Sequence, residues 1–223
     1  MKKTIIITGA SDGLGKSIAN ELQEYDLILV AKDEDKLEKV ASDLNCKYYV
    51  CDLKDYNQIN NIIKDIEKVD ILINNAGIWL AGDLEENTFQ QISNCIDVNT
   101  KAPIYMTKAV LPKMRKNKSG LIINVCSQSS FDNDDFSAVY NASKWAMRGF
   151  NRSIQKVLSK ENIKVTGFYP GFMQTNLFKK AGNDYDTSTG LETEKVAKAI
   201  RFIVECENDI IIPEFGIKDI ENY

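Results

Sequence analysis

Seven short apolar runs, alternating with six longer amphipathic stretches, constrain this chain more than any other feature. The runs cover residues 4–8, 27–31, 47–51, 71–74, 121–126, 164–169 and 209–212. Most are rich in Ile and Val on both faces, the pattern of strands covered by helices on two sides. Between them, residues 15–24, 34–44, 56–67, 86–116, 138–160 and 193–205 carry helical patterning. Such alternation builds a parallel sheet through right-handed crossovers. The expected architecture is α/β: a doubly wound seven-stranded parallel sheet in three α/β/α layers. With 223 residues and no linker, the chain reads as one domain, 1–223. Residues 176–190 have weak periodicity and are rich in Asn, Asp, Ser, Thr and Gly, which predicts a mobile loop.

Composition narrows the chemistry. The chain has no histidine. A Ser-His-Asp triad, an HExxH zinc site or any His-based proton transfer is therefore out of reach. Acid/base work near neutral pH must fall to Tyr, Lys, Cys or a carboxylate moved from its ordinary pKa. Five cysteines, an odd number without a CxxC pair, suggest neither a disulfide framework nor a metal site. Reduced thiols and a cytoplasmic location are expected. Met1-Lys2-Lys3 followed by four apolar-leaning residues briefly imitates a signal peptide, but Gly9 and Asp12 close the run. No stretch has membrane-spanning length. A net charge of −4 argues against a nucleic-acid partner.

Three motifs carry chemistry. TGASDGLG, residues 8–15, directly follows the first strand and opens the first helix. Free N–H groups at a helix start attract phosphate, and glycines allow a tight turn and close approach. The spacing is GxxxGxG rather than GxGxxG. NNAG at 74–77 ends the fourth strand; alone it reads equally well as a turn. YNASK at 140–144 places Tyr140 and Lys144 on one helix face, four residues apart. Alone, that pair also reads as a surface contact, but no other Tyr here has Lys four residues on.

Together with CDL at 51–53, Asn99, INVCS at 123–127 and PGFMQT at 170–175, these motifs make the chain resemble the short-chain dehydrogenase/reductase family, from about Thr4 to Thr175. The resemblance implies a Rossmann-type fold and NAD(P)-dependent oxidoreduction of a small carbonyl or alcohol. It implies catalytic roles for Ser127, Tyr140, Lys144 and Asn99. Tyr140 would be the acid/base. A free phenol titrates near 10, and Lys144 together with an oxidised nicotinamide would favour the phenolate. Ser127 would donate a hydrogen bond to the substrate oxygen, and Lys144 would also hold the nicotinamide ribose. The Asn99 carbonyl would anchor a water leading towards Lys144. Pro103, four residues on, has no N–H for that carbonyl, so a kink is expected there.

The same resemblance assigns cofactor contacts to Gly9, Ser11, Asp12, Gly13, Leu14 and Gly15, to Asp52 and Leu53, and to Asn75, Ala76 and Gly77. It adds Tyr140, Lys144, Pro170, Gly171 and Thr175. Cofactor choice is set after the second strand, where an acid would bond the NAD ribose and a base the NADP phosphate. Ala31 stands where relatives often carry the NAD-selecting Asp, and Lys32 follows it. This favours NADP(H), with NAD(H) as the alternative. Asp12 weakens the case, since some NADP enzymes have a base there, and a register shifted by two would make Asp33 the ribose ligand. The chain lacks the glycine-rich final segment of many members. Relatives are often dimers or tetramers through the two long helices, where Trp145 and Phe150 either meet a partner or pack in the core. Asp132, Asp134 and Asp135 would make the substrate rim negative unless Lys179 and Lys180 fold across it. The rival readings are a dinucleotide-binding sensor with little turnover, and another Rossmann enzyme such as a methyltransferase.

Overall fold

The computed structural model describes residues 2–132 and 136–220. Seven strands form one parallel sheet in the order β3-β2-β1-β4-β5-β6-β7. They are β1 (Thr4–Thr8), β2 (Asp26–Ala31), β3 (Lys47–Val50), β4 (Ile71–Asn74), β5 (Gly120–Val125), β6 (Ile163–Pro170) and β7 (Glu214–Ile217). The order reverses between β1 and β4, which opens the crevice that ligands of such sheets use. Ile5, Ile6 and Ile7 are all fully buried, so both faces of the central strand are covered. Ile5 and Ile7 join one core with Leu29, Ile73, Ile123 and Phe168. Ile6 joins the other with Val30, Leu72, Ile122 and Val165. The period-2 alternation of the strand thus divides the apolar residues between the two helix layers.

The helices are α1 (Gly13–Glu21), α2 (Glu34–Leu44), α3 (Tyr56–Asp65), α4 (Phe89–Ile96), α5 (Ala102–Asn117), α6 (Ala138–Ser159), α7 (Leu177–Lys180) and α8 (Thr193–Glu205). Polar side chains set their starts. Asp33 accepts from Lys36 N at α2, Asp55 from Asn57 N and Gln58 N at α3, and Thr88 from Gln91 N at α4. Helix α1 begins two residues before the glycine expected from periodicity, because Asp12 accepts from Gly13 N at 2.7 Å. The expected long helix over 86–116 is in fact α4 and α5 joined by a π-helical turn, Asp97–Lys101. Pro103 cannot donate to the Asn99 carbonyl, and the chain widens at this place.

One strand expectation is corrected. Residues 209–212 do not pair; β7 starts at Glu214. Its register, Gly167↔Glu214 to Pro170↔Ile217, is fixed by polar anchors rather than by the preceding isoleucine run. The Glu214 carboxylate meets Arg148 at 3.1 Å and Arg152 at 3.2 Å, and accepts from the Tyr169 hydroxyl at 3.3 Å. Phe215 stacks on Phe168, while Ile210 and Ile211 stay partly exposed. Within 176–190 the structure forms the short helix α7. No helix among the described residues is long and apolar enough to cross a membrane.

Candidate active site

The site grows from the carboxyl ends of β1, β4, β5 and β6. After β1 the chain turns through Gly9, with φ at +65°, and Gly13, with φ at +52°. A side chain at Gly9 would bring a Cβ within 2.8 Å of the Ala76 Cα. At Gly15 a Cβ would collide with the Gly9 carbonyl. The glycines are therefore required by close backbone approach as well as by conformation. Asn75 holds this turn from beneath, donating to Thr8 O at 3.0 Å and Gly9 O at 3.3 Å. The Thr8 hydroxyl accepts in turn from Asn75 N and Ala76 N. The TGASDGLG and NNAG motifs thus form one interlocked platform. Leu14 is buried beneath it and Ser11 is half-buried at its rim.

Thr175 closes the platform from the β6 side. Its methyl group lies 3.7 Å from where a Gly13 Cβ would sit. Pro170 ends β6, and Gly171 N donates to Ile217 O at 2.8 Å, so β7 sets the exit direction of this segment. At the other end of the platform Lys32 is the first residue after β2. Asp52 accepts from Lys54 N at 3.1 Å and faces Lys32 Nζ at 3.6 Å. Leu53 packs against the core on the α3 side. Asp33 caps α2 and pairs with Lys36 Nζ at 3.1 Å. Ala31, the last residue of β2, is buried, and the Lys32 side chain that follows it is exposed.

Tyr140 and Lys144 lie on α6, with the Lys144 ammonium 5.5 Å from the Tyr140 ring centre. Only 9% of Tyr140 and 6% of Lys144 is exposed, which makes Lys144 a buried cation. Among the described residues Nζ finds one acceptor, Val125 O at 3.3 Å, at the end of β5. An ammonium has three donors, which suits it to a ligand rich in acceptors. Gly77 lies beside it: a Cβ there would be 3.7 Å from Nζ. Ser127, two residues beyond β5, accepts from Ser129 N at 3.1 Å and keeps its hydroxyl at the strand end.

Asn99 acts here through its side chain. Its amide donates to Ile78 O at 2.9 Å and accepts from Ile78 N at 2.8 Å. It also reaches the Ser143 hydroxyl at 3.0 Å, which donates to Tyr140 O at 2.6 Å. The π-helical turn, the loop after NNAG and α6 are thereby fastened together. Ser143, Ser130 (bonded to Lys144 O) and Thr8 were missed as site residues by sequence reasoning. Their signal was only that each is a small hydroxyl inside or beside a motif.

Burial disables two of the cysteines and a second tyrosine. It pushes the thiols of Cys51 and Cys126 up to about 11, so neither is ionised at neutral pH. Burial also pushes the Tyr169 phenol well up, with the Cys126 and Glu214 charges acting the same way. Among the described residues no cluster of His, Cys, Asp and Glu could hold a metal ion. The glycine platform, the helix start at Gly13 and the spare donors of Lys144 fit a phosphate-bearing dinucleotide whose sugar reaches Lys144.

Comparison with known proteins agrees with this geometry. Residues 3–186 match the short chain dehydrogenase family. An uncharacterized oxidoreductase of Staphylococcus epidermidis is 30% identical over 227 residues, covering 98% of each chain. A closed form of serine dehydrogenase complexed with NADP+ superposes with a TM-score of 0.93 at 25% identity, covering 99% of this chain and 96% of that one. A metagenomic short-chain oxidoreductase in complex with NADP gives a TM-score of 0.85 at 26% identity, covering 96% of each. This chain belongs to the short-chain dehydrogenase family and is an NAD(P)-dependent oxidoreductase.

Proposed function

We propose that the protein interconverts a small carbonyl compound and its alcohol, with NADPH as the preferred reductant and Tyr140 as the acid/base. The observation that carries this reading is the buried, under-bonded Lys144 ammonium beside the Tyr140 ring. A protein that only sensed a dinucleotide would have no need of a phenol there. When bound, the nicotinamide cofactor supplies the hydride equivalent at the carbonyl carbon. In the reductive direction the Tyr140 hydroxyl gives its proton to the carbonyl oxygen. Ser127 donates a hydrogen bond to the same oxygen and stabilises the negative charge that develops on it. Lys144 stands beside the Tyr140 ring and holds the ribose hydroxyls. Asn99 and Ser143 keep α6 in place so that these groups meet.

Support for NADPH comes from Lys32 at the end of β2 and from Asp33, which is committed to capping α2. Two relatives of 25% identity or more carry NADP in their structures. The surroundings of Tyr140 are apolar. Trp79, Val139, Leu177 and Phe178 cluster with it, which favours a substrate without a charge at its reacting end.

The test is Tyr140→Phe. The variant keeps the ring, so it should fold and bind NADPH with near-native affinity while losing at least about 10²-fold in kcat. Reduction of a carbonyl panel at the native rate by this variant would refute the mechanism. A protein that binds NADPH and turns over no member of the panel would favour the sensor reading.

A further inference from the structure

Asp12 occupies a place in the glycine-rich turn where an acid opposes a phosphorylated cofactor. The structure pairs it with a base from far along the chain. Lys180, the last residue of α7 in the segment after β6, has its ammonium 3.0 Å from the Asp12 carboxylate. Gly9 N donates to Val30 O at 2.8 Å, so the turn carrying Asp12 lies against the end of β2, beside Lys32. Four lysines face three aspartates here: Lys32 and Lys54 with Asp52 at 3.6 Å and 3.8 Å, Lys36 with Asp33 at 3.1 Å, and Lys180 with Asp12 at 3.0 Å. Of these, Lys180 alone arrives on the loop over the site.

We propose that Lys180 selects the cofactor: it supplies, from the segment over the site, the base that the glycine-rich turn lacks, and so couples closure of that segment to a 2′-phosphate. The inference rests on the NADPH reading given above. Burial opposes ionisation of Asp12, but the Lys180 ammonium and the Gly13 N–H together hold its carboxyl below the usual range. Asp12 is therefore a fixed negative charge at neutral pH, and the Lys180 charge also reaches Asp33. Without Lys180, Asp12 would repel a phosphate that carries nearly two negative charges. With it, the pair is neutral and two ammonium donors remain for the phosphate oxygens.

The same segment is fastened a second time. Phe178 and Tyr185 pack edge-to-face on Trp79 at 4.7 Å and 5.5 Å, and on each other at 5.6 Å. Trp79 itself donates to the Ser137 hydroxyl at the head of α6. A phosphate that engages Lys180 therefore also favours the closed arrangement of these rings. Linkage requires the converse: closure must tighten NADPH more than NADH.

The experiment measures Kd for NADPH and NADH by calorimetric titration of the intact protein, beside chymotryptic cleavage after Phe178 and Tyr185. Lys180→Met should weaken NADPH about tenfold or more and NADH by less than about twofold. Lys180→Arg should retain the preference. Asp12→Asn combined with Lys180→Met should recover part of the NADPH affinity, because the unpaired acid is gone; Asn still caps α1. NADPH should protect the two aromatic sites in the native chain better than NADH does, and this difference should vanish in Lys180→Met. Lys32→Met serves as the reference for a contact made from the sheet: it should weaken NADPH without removing the difference in protection. Equal weakening of both dinucleotides by Lys180→Met, or no weakening, overturns the proposal while leaving the functional reading intact. Failure of the native protein to bind either dinucleotide removes both.

Discussion

At the scale of single residues, side chains that hold backbone atoms in place separate this site from a loose collection of motifs. Asn99 shows it best. Sequence singled it out for its carbonyl and the missing N–H of Pro103, and the π-helical turn appears at that place. Its side chain, which sequence could not aim, takes both backbone groups of Ile78. Asn99→Leu keeps the number of side-chain heavy atoms and removes both bonds to Ile78 and the one to Ser143. A buried group left unpaired costs about 1–3 kcal/mol, so stability should fall by at least about 2 kcal/mol, or about 4 °C or more in Tm for a chain of this size. Thermal unfolding of the purified variant measures it. An unchanged Tm would show that Ile78 finds other partners and that the clamp is incidental. The buried amides behind the site are governed by the same logic. Asn74 donates to Asn124 at 2.7 Å and Asn124 to Asn151 at 2.6 Å, so each depends on its neighbour's orientation. None of the three belongs to a pattern with a readable period, and their partners lie on three different elements.

At the scale of elements, what was legible and what was not follow from the range of the forces involved. Strands β1 to β6 and the helices after them are set by local apolar periodicity and by capping side chains one to three residues away, and a sequence displays both. Strand β7 is set by Glu214, which answers to Arg148, Arg152 and Tyr169 across tens of residues. The apolar run just before it imitates a strand but lies outside the paired segment Glu214–Ile217. Burial works against ionisation of Glu214, yet the two guanidinium groups hold its carboxyl below the ordinary range. A lowered folded pKa adds stability above the unfolded value, near 4.3 for a free Glu. That contribution disappears as pH falls through the folded pKa. Glu214→Gln should therefore cost about 1 kcal/mol at pH 7. The gap to the native protein should close between about pH 5 and 3. Urea unfolding across that range is the measurement; a gap independent of pH would mean that shape, not charge, anchors β7.

At the scale of the whole molecule, a parallel sheet brings every strand's carboxyl end to one edge. That is why motifs spread from residue 8 to residue 175 could be read as one site before their distances were known. The fold-back of the segment after β6 could not be read this way, because its contacts join Lys180 to Asp12 and Phe178 to Trp79, pairs with no sequence signature. Its consequence for the substrate can be tested. Lys180 is engaged with Asp12 on the cofactor side. On the rim, Asp132 is 80% exposed and meets Lys218 at 3.8 Å, and Asp134 and Asp135 lie outside the described residues. Carboxylates at the mouth of a site, as the sequence predicts here, lower the local concentration of anions and slow their encounter. Neutral or cationic carbonyl compounds should then be reduced with a kcat/KM about three- to tenfold above that of matched carboxylates at low salt. The gap should narrow as salt screens the rim, since charges beyond about 8 Å are already screened at physiological ionic strength. Steady-state kinetics on matched pairs at low and high salt decide it. A preference for the carboxylate at low salt would mean that a cation governs the pocket, and it would shift the substrate class to organic acids.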